Sequence, residues 1–209
     1  MAKASGGTRK TFPHKQKESK IHVEDGVPKE HVEFIKDRLK KLNDEFGFYP
    51  DINIKNTFKV SESAAGEYHD GDGYINVGLY KLGDFGYVID HEYGHIFDIK
   101  NSKDLKPYKQ LVKLNPNNKK FMDKLNEAKA YNKKLSEDKK WVKLKGIYDK
   151  LRKEPELKSS YAIKGGFREF AAEMFALGRK VIGNSNFKWR KEYKDAYDLI
   201  IQFPRKNKK

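Results

Sequence analysis

The segment running from Tyr87 to Ile99 constrains this chain most, because it asks for an apolar helix that carries ionisable side chains inward. Val88, Ile89, Ile96, Phe97 and Ile99 recur at helical spacing. That predicts a helix buried around most of its circumference, with Asp84 as its N-cap. His91, Glu92, His95 and Asp98 then sit among hydrophobic residues, a costly placement unless a metal ion or hydrogen bonds satisfy them. His91 and His95 are four residues apart, so both imidazoles project from one face towards a single point. Glu92 points to the adjacent side, within reach of a water held at that point.

His91-Glu92-Tyr93-Gly94-His95 matches HExxH, the helical zinc-binding pattern. A catalytic zinc takes three protein ligands and keeps one position open, so two histidines are not enough. The chain has no cysteine, which leaves His, Asp and Glu as ligands. The candidates for the third are Asp98, His69, Glu169 and Glu173. Asp98 follows His95 by about one turn of the same predicted helix, better placed to orient a neighbour than to close a tetrahedron. His69 falls at a hairpin tip. Glu169 and Glu173 lie four apart on an otherwise apolar helix predicted over residues 168–178, where burying both as charges needs a cation or strong donors. The pair reads as one ligand and one orienter of a histidine ring.

The remaining pattern predicts an α+β chain. Residues 1–25 read as a disordered basic arm. A helix from about Pro28 to Phe46 carries an apolar stripe suited to packing on a sheet. Asp51 to Val60 alternates as a half-buried strand, and Gly66 to His69 with Tyr74 to Val77 reads as a β-hairpin around Asp70-Gly71-Asp72-Gly73. Lysine-rich helices over about 103–157 form an insertion between the halves of the site. A last helix spans about 186–202, and residues 204–209 form a basic tail. The expectation is a single domain over 26–203 with a small mixed or antiparallel sheet and a mostly helical C-terminal half.

The chain resembles the gluzincin metallopeptidases, most closely the lethal factor and Pro-Pro endopeptidase family. The matching pieces are His91-Glu92-Tyr93-Gly94-His95 with Asp98, then Ser160-Tyr161, then Glu169-Phe170-Ala171-Ala172-Glu173-Met174-Phe175, within roughly residues 45–180. The resemblance implies a zincin-like fold, one catalytic Zn²⁺ held by His91, His95 and Glu169, and Glu92 as general base. It implies Glu173 as support and Tyr161 as donor to the developing oxyanion. It also implies that the strand Gly73, Tyr74, Ile75, Asn76 and Val77 is the edge that takes an extended peptide by β-addition. The insertion between His95 and Glu169 is long for that family.

Composition bounds partners more than activity. A net charge of +15 suits an acidic protein surface, a nucleic acid, an anionic membrane or plain solubility, and the excess is mostly lysine without the arginine and aromatic clustering of a nucleic-acid site. No apolar leader or membrane-length segment stands out, so the expectation is a monomer that is neither Sec-targeted nor membrane-inserted, acting in the cytoplasm, delivered by a phage or exported by another route. The expected function is a zinc endopeptidase acting on a protein substrate. The alternatives are a phage or mobile-element structural or nucleic-acid-binding protein that retains the fold, and a regulatory protease that removes a repressor or host factor.

Overall fold

In a computed structural model, residues 18–57, 60, 65–69, 73–78, 82–154, 164–181 and 190–205 are described. The architecture is α+β. Strand β1 (Ile21–Val23) leads through helix α1 (Lys29–Phe46) to β2 (Asp51–Lys55), and β3 (Gly66–His69) with β4 (Tyr74–Gly78) forms the hairpin. Helix α2 (Leu82–Gly94) follows, then α3 (Lys106–Leu114), α4 (Lys119–Glu137), α5 (Lys139–Leu151), α6 (Phe167–Val181) and α7 (Lys191–Ile200). The four strands lie in the order β1-β2-β4-β3, with β1 and β4 parallel to β2 and β3 antiparallel to β4.

One face of the sheet and the apolar stripes of the helices form a common core. Ile52, Ile54, Ile75 and Val77 are buried with Ile35, Leu39, Leu42 and Phe46 of α1. Each such side chain contributes about 1.5–3 kcal/mol. Helix α2 lies against β3 and β4 and packs most extensively against α6. That closeness depends on Gly94: a Cβ there would come within 2.9 Å of Ala172 Cα and 3.1 Å of its carbonyl oxygen.

Several boundaries differ from the expectations, each for a tertiary reason. The predicted disordered arm extends to residue 25, but residues 18–25 are folded: β1 pairs with β2, and Lys20 N–H donates to Asp51. Residues 1–17 lie outside the described residues. Helix α2 begins at Leu82, so Asp84 is inside it rather than capping it. It stops at Gly94 instead of running to Ile99, because the main chain beyond it pairs elsewhere. Phe97 forms a β-bridge with Arg205, and Asp98 N–H donates to the Pro204 carbonyl at 2.7 Å. Pro204 and Arg205 are therefore part of the fold rather than of a tail.

The predicted insertion divides in two. Helices α3 and α4 pair with each other, whereas α5 sends Trp141, Leu144, Tyr148 and Leu151 into the common core against α6 and α7. Among the described residues no helix is long and apolar enough to cross a membrane.

Candidate metal centre

Two antiparallel helices build the site. Helix α2 presents Tyr87 and His91 one turn apart, with His95 in the tight turn that follows it, and α6 presents Glu169 and Glu173 one turn apart. Because the helices meet at Gly94 and Ala172, the polar side chains interdigitate. His91 Nε2 lies 3.3 Å and His95 Nε2 3.5 Å from Glu169 Oε2. The ligand atoms of His91, His95 and Glu169 all lie within 4.8 Å of one another, so this group could hold a metal ion. In a tetrahedral site with bonds of about 2.1 Å, ligand atoms stand about 3.4 Å apart. Both nitrogen-to-oxygen separations match that edge.

The electrostatics point the same way. Burial raises the carboxyl of Glu169, but His91 and His95 facing it hold it far below the usual carboxylate range. Burial lowers His91, yet the carboxylates of Glu169 and Glu173 outweigh it and hold the ring at about 9. His95 is lowered, chiefly by burial. Two carboxylates converging on one imidazole require positive charge between them, supplied by a proton or by a metal ion.

His91 is oriented from behind. Its Nδ1 lies 3.0 Å from Glu173 Oε2, and Tyr87 Oη donates to Glu173 Oε1. A carboxylate on the far ring nitrogen fixes the tautomer that offers Nε2 to a metal. Burial pushes Glu173 up, but its bonds to His91 and Tyr87 leave it lowered.

Glu92 occupies the sheet side of α2. It is 7 % exposed, and burial raises its carboxyl to about 7. It accepts a hydrogen bond from the main-chain N–H of Tyr68 on β3. Gly66, also on β3, makes room for it, since a Cβ there would stand 2.7 Å from Glu92 Cγ. The Tyr68 ring stacks over His95 with centroids 6.4 Å apart. Tyr93, pointing away from the site, donates to the carbonyls of Leu42 and Phe48 and pins α2 to the core.

No protein-family model, curated protein or solved structure matches this chain. The site therefore stands on its own geometry, which brings together His91, Glu92, His95, Glu169 and Glu173.

Other predicted site residues fall elsewhere. Asp98 lies beyond the end of α2, and its carboxylate pairs with Lys100 at 3.3 Å, so it does not orient a ligand from the helix. The strand of Gly73, Tyr74, Ile75, Asn76 and Val77 is not an edge: β4 is bonded to β2 on one side and to β3 on the other. Among the described residues, the end strand of the sheet beside Glu92 is β3. Tyr161 lies outside the described residues. Sequence reasoning missed Gly66, Tyr68 and Tyr87. For Tyr87 a signal existed, since it precedes His91 by one helical turn. Nothing in the sequence around Gly66 marks its approach to Glu92.

Proposed function

We propose that this chain is a zinc-dependent endopeptidase of the lethal factor type, hydrolysing a peptide bond in a protein substrate. The observation that supports it best is the gathering of the His91, His95 and Glu169 ligand atoms within 4.8 Å of one another, both imidazole-to-carboxylate separations being near a tetrahedral edge, with Glu92 next to His91 on the same helix. The donor set is two imidazoles and one carboxylate, which suits zinc and leaves a position open. A bound zinc ion supplies activation of the attacking water and polarisation of the scissile carbonyl.

The residues of the chain do the rest. Glu92 takes a proton from the attacking water and returns it to the departing amine, and the Tyr68 N–H holds its carboxylate in place for both transfers. Glu173 keeps His91 turned so that Nε2 faces the ion. Tyr161 is assigned as donor to the developing oxyanion. The substrate extends along the outer edge of β3, in place of the β4 edge first expected, which brings its main chain alongside Glu92 and His95.

The test is a quenched-peptide library assayed with and without a chelator, with Glu92→Gln as control. The expected result is cleavage that chelation abolishes and zinc restores, and a Glu92→Gln protein that keeps its metal but loses at least about a hundred-fold in rate. Cleavage that persists in Glu92→Gln, or no zinc-dependent cleavage of any peptide, overturns the proposal.

A further inference from the structure

The two helices that form the centre share a longer ladder than metal ligation needs. Reading up α2 and down α6, the contacts run Tyr87 to Glu173, Glu173 to His91, His91 to Glu169 and Glu169 to His95. Each carboxylate stands between two partners from α2 and the turn that follows it. Three members are the candidate ligands, and Glu173 holds one of them. Tyr87 is not one of the candidate ligands, yet it completes the row.

We propose that Tyr87 is a positioning residue of the metal centre, acting through Glu173 to fix the ring of His91. The inference rests on the metal-binding reading above and extends it one residue further from the ion. Glu173 has two carboxylate oxygens and divides them: Oε2 faces His91 Nδ1 and Oε1 takes the Tyr87 hydroxyl. With Oε1 engaged, the carboxylate cannot rotate about its last bond without losing one partner. That holds Oε2 in line with Nδ1 and keeps Nε2 aimed between His95 and Glu169. The Tyr87 hydroxyl removed, Glu173 is free to turn, and the imidazole it supports turns with it. Groups that support a ligating histidine in this way typically govern 10–100-fold in metal affinity.

A packing role for the same side chain is separable. The ring of Tyr87 lies under the Lys180 ammonium, 5.7 Å from its centroid. Tyr87→Phe keeps that ring and removes only the hydroxyl.

The test measures Zn²⁺ binding alone, by competition with a chromophoric chelator, on metal-free wild type, Tyr87→Phe, Glu173→Ala and the double variant. The visible spectrum of each protein loaded with Co²⁺ reports the geometry of the ligands. Tyr87→Phe is expected to weaken Zn²⁺ binding about ten-fold and alter the Co²⁺ bands, with the thermal midpoint of the metal-free protein nearly unchanged. In the Glu173→Ala background the same change is expected to have no further effect on zinc affinity, because the residue through which it acts is gone. Zinc affinity of Tyr87→Phe within two-fold of wild type overturns the proposal, as does an equal loss with and without Glu173. A wild type that binds no zinc overturns the metal-centre reading itself, a result distinct from either of these.

Discussion

Gly66→Ala is a one-carbon change that separates positioning of Glu92 from binding of the metal. Gly66 is not among the glycines with positive φ, so alanine fits its backbone and the whole effect is steric. The new methyl would stand 2.7 Å from Glu92 Cγ, 2.7 Å from Val88 Cγ1 and 2.9 Å from Glu92 Oε1. Carbon atoms rest about 3.5–4.0 Å apart, so Glu92 or the strand must give by about 1 Å. Strand β3 is held by its pairing with β4 and Glu92 is buried, which leaves the carboxylate to move off the Tyr68 N–H. A misplacement of about 1 Å in a catalytic group costs about a hundred-fold in rate, and crowding in a packed interior costs about 1–3 kcal/mol of stability. Because Glu92 is not a ligand, zinc affinity is expected to stay within a few-fold of wild type. The assay pairs kcat/KM on a cleaved peptide with a zinc competition titration of the same preparation. A kcat/KM within three-fold of wild type, or a loss of zinc parallel to the loss of rate, refutes the assigned geometry.

Other outcomes follow from the same contacts. Gly94→Ala pushes a methyl into the Ala172 backbone, so the α2 and α6 helices separate; a loss of about 1–3 kcal/mol is expected in denaturant unfolding, and an unchanged midpoint contradicts the close approach. Chelation should lower the thermal midpoint of the zinc-loaded protein, since zinc at a hundred times its Kd adds about 2.7 kcal/mol; identical melting with and without chelator contradicts binding to the folded state. Glu192, bonded to Lys150 and to Arg190, has its carboxyl lowered from 4.5 to about 2, with the Lys150 bond the largest cause. A depressed carboxyl stabilises above its unfolded value and loses that contribution as pH falls towards the folded one. Glu192→Gln should therefore melt below wild type at pH 7, with the gap narrowing between pH 5 and pH 3; a constant gap removes this account.

What was legible in the sequence was whatever local periodicity or motif chemistry fixes. The HExxH stretch, the paired glutamates and the hairpin each carry a pattern within a dozen residues, and the structure places them where they meet. What was not legible depends on chain segments far apart. Strand β1 has three residues, one half-buried and two exposed, too short for an alternation to show. The order of β3 and β4 in the sheet is decided by which of them pairs with β2, and both read alike as hairpin strands. Ile96, Phe97 and Ile99 keep a helical period because all three are buried, although the backbone there has left the helix to pair with Pro204 and Arg205. Tyr87 is legible only in part: its place one helical turn before His91 can be read locally, but the carboxylate it meets lies 86 positions later.

The central claim is that His91, His95 and Glu169 form one metal centre, and a crystal grown with zinc and measured on both sides of the zinc absorption edge tests it most directly. The account predicts one strong anomalous peak per chain, about 2.0–2.2 Å from His91 Nε2, His95 Nε2 and a carboxylate oxygen of Glu169, with Glu173 on the far nitrogen of His91. A peak ligated by other side chains, or zinc-saturated crystals with none between these three, would contradict it.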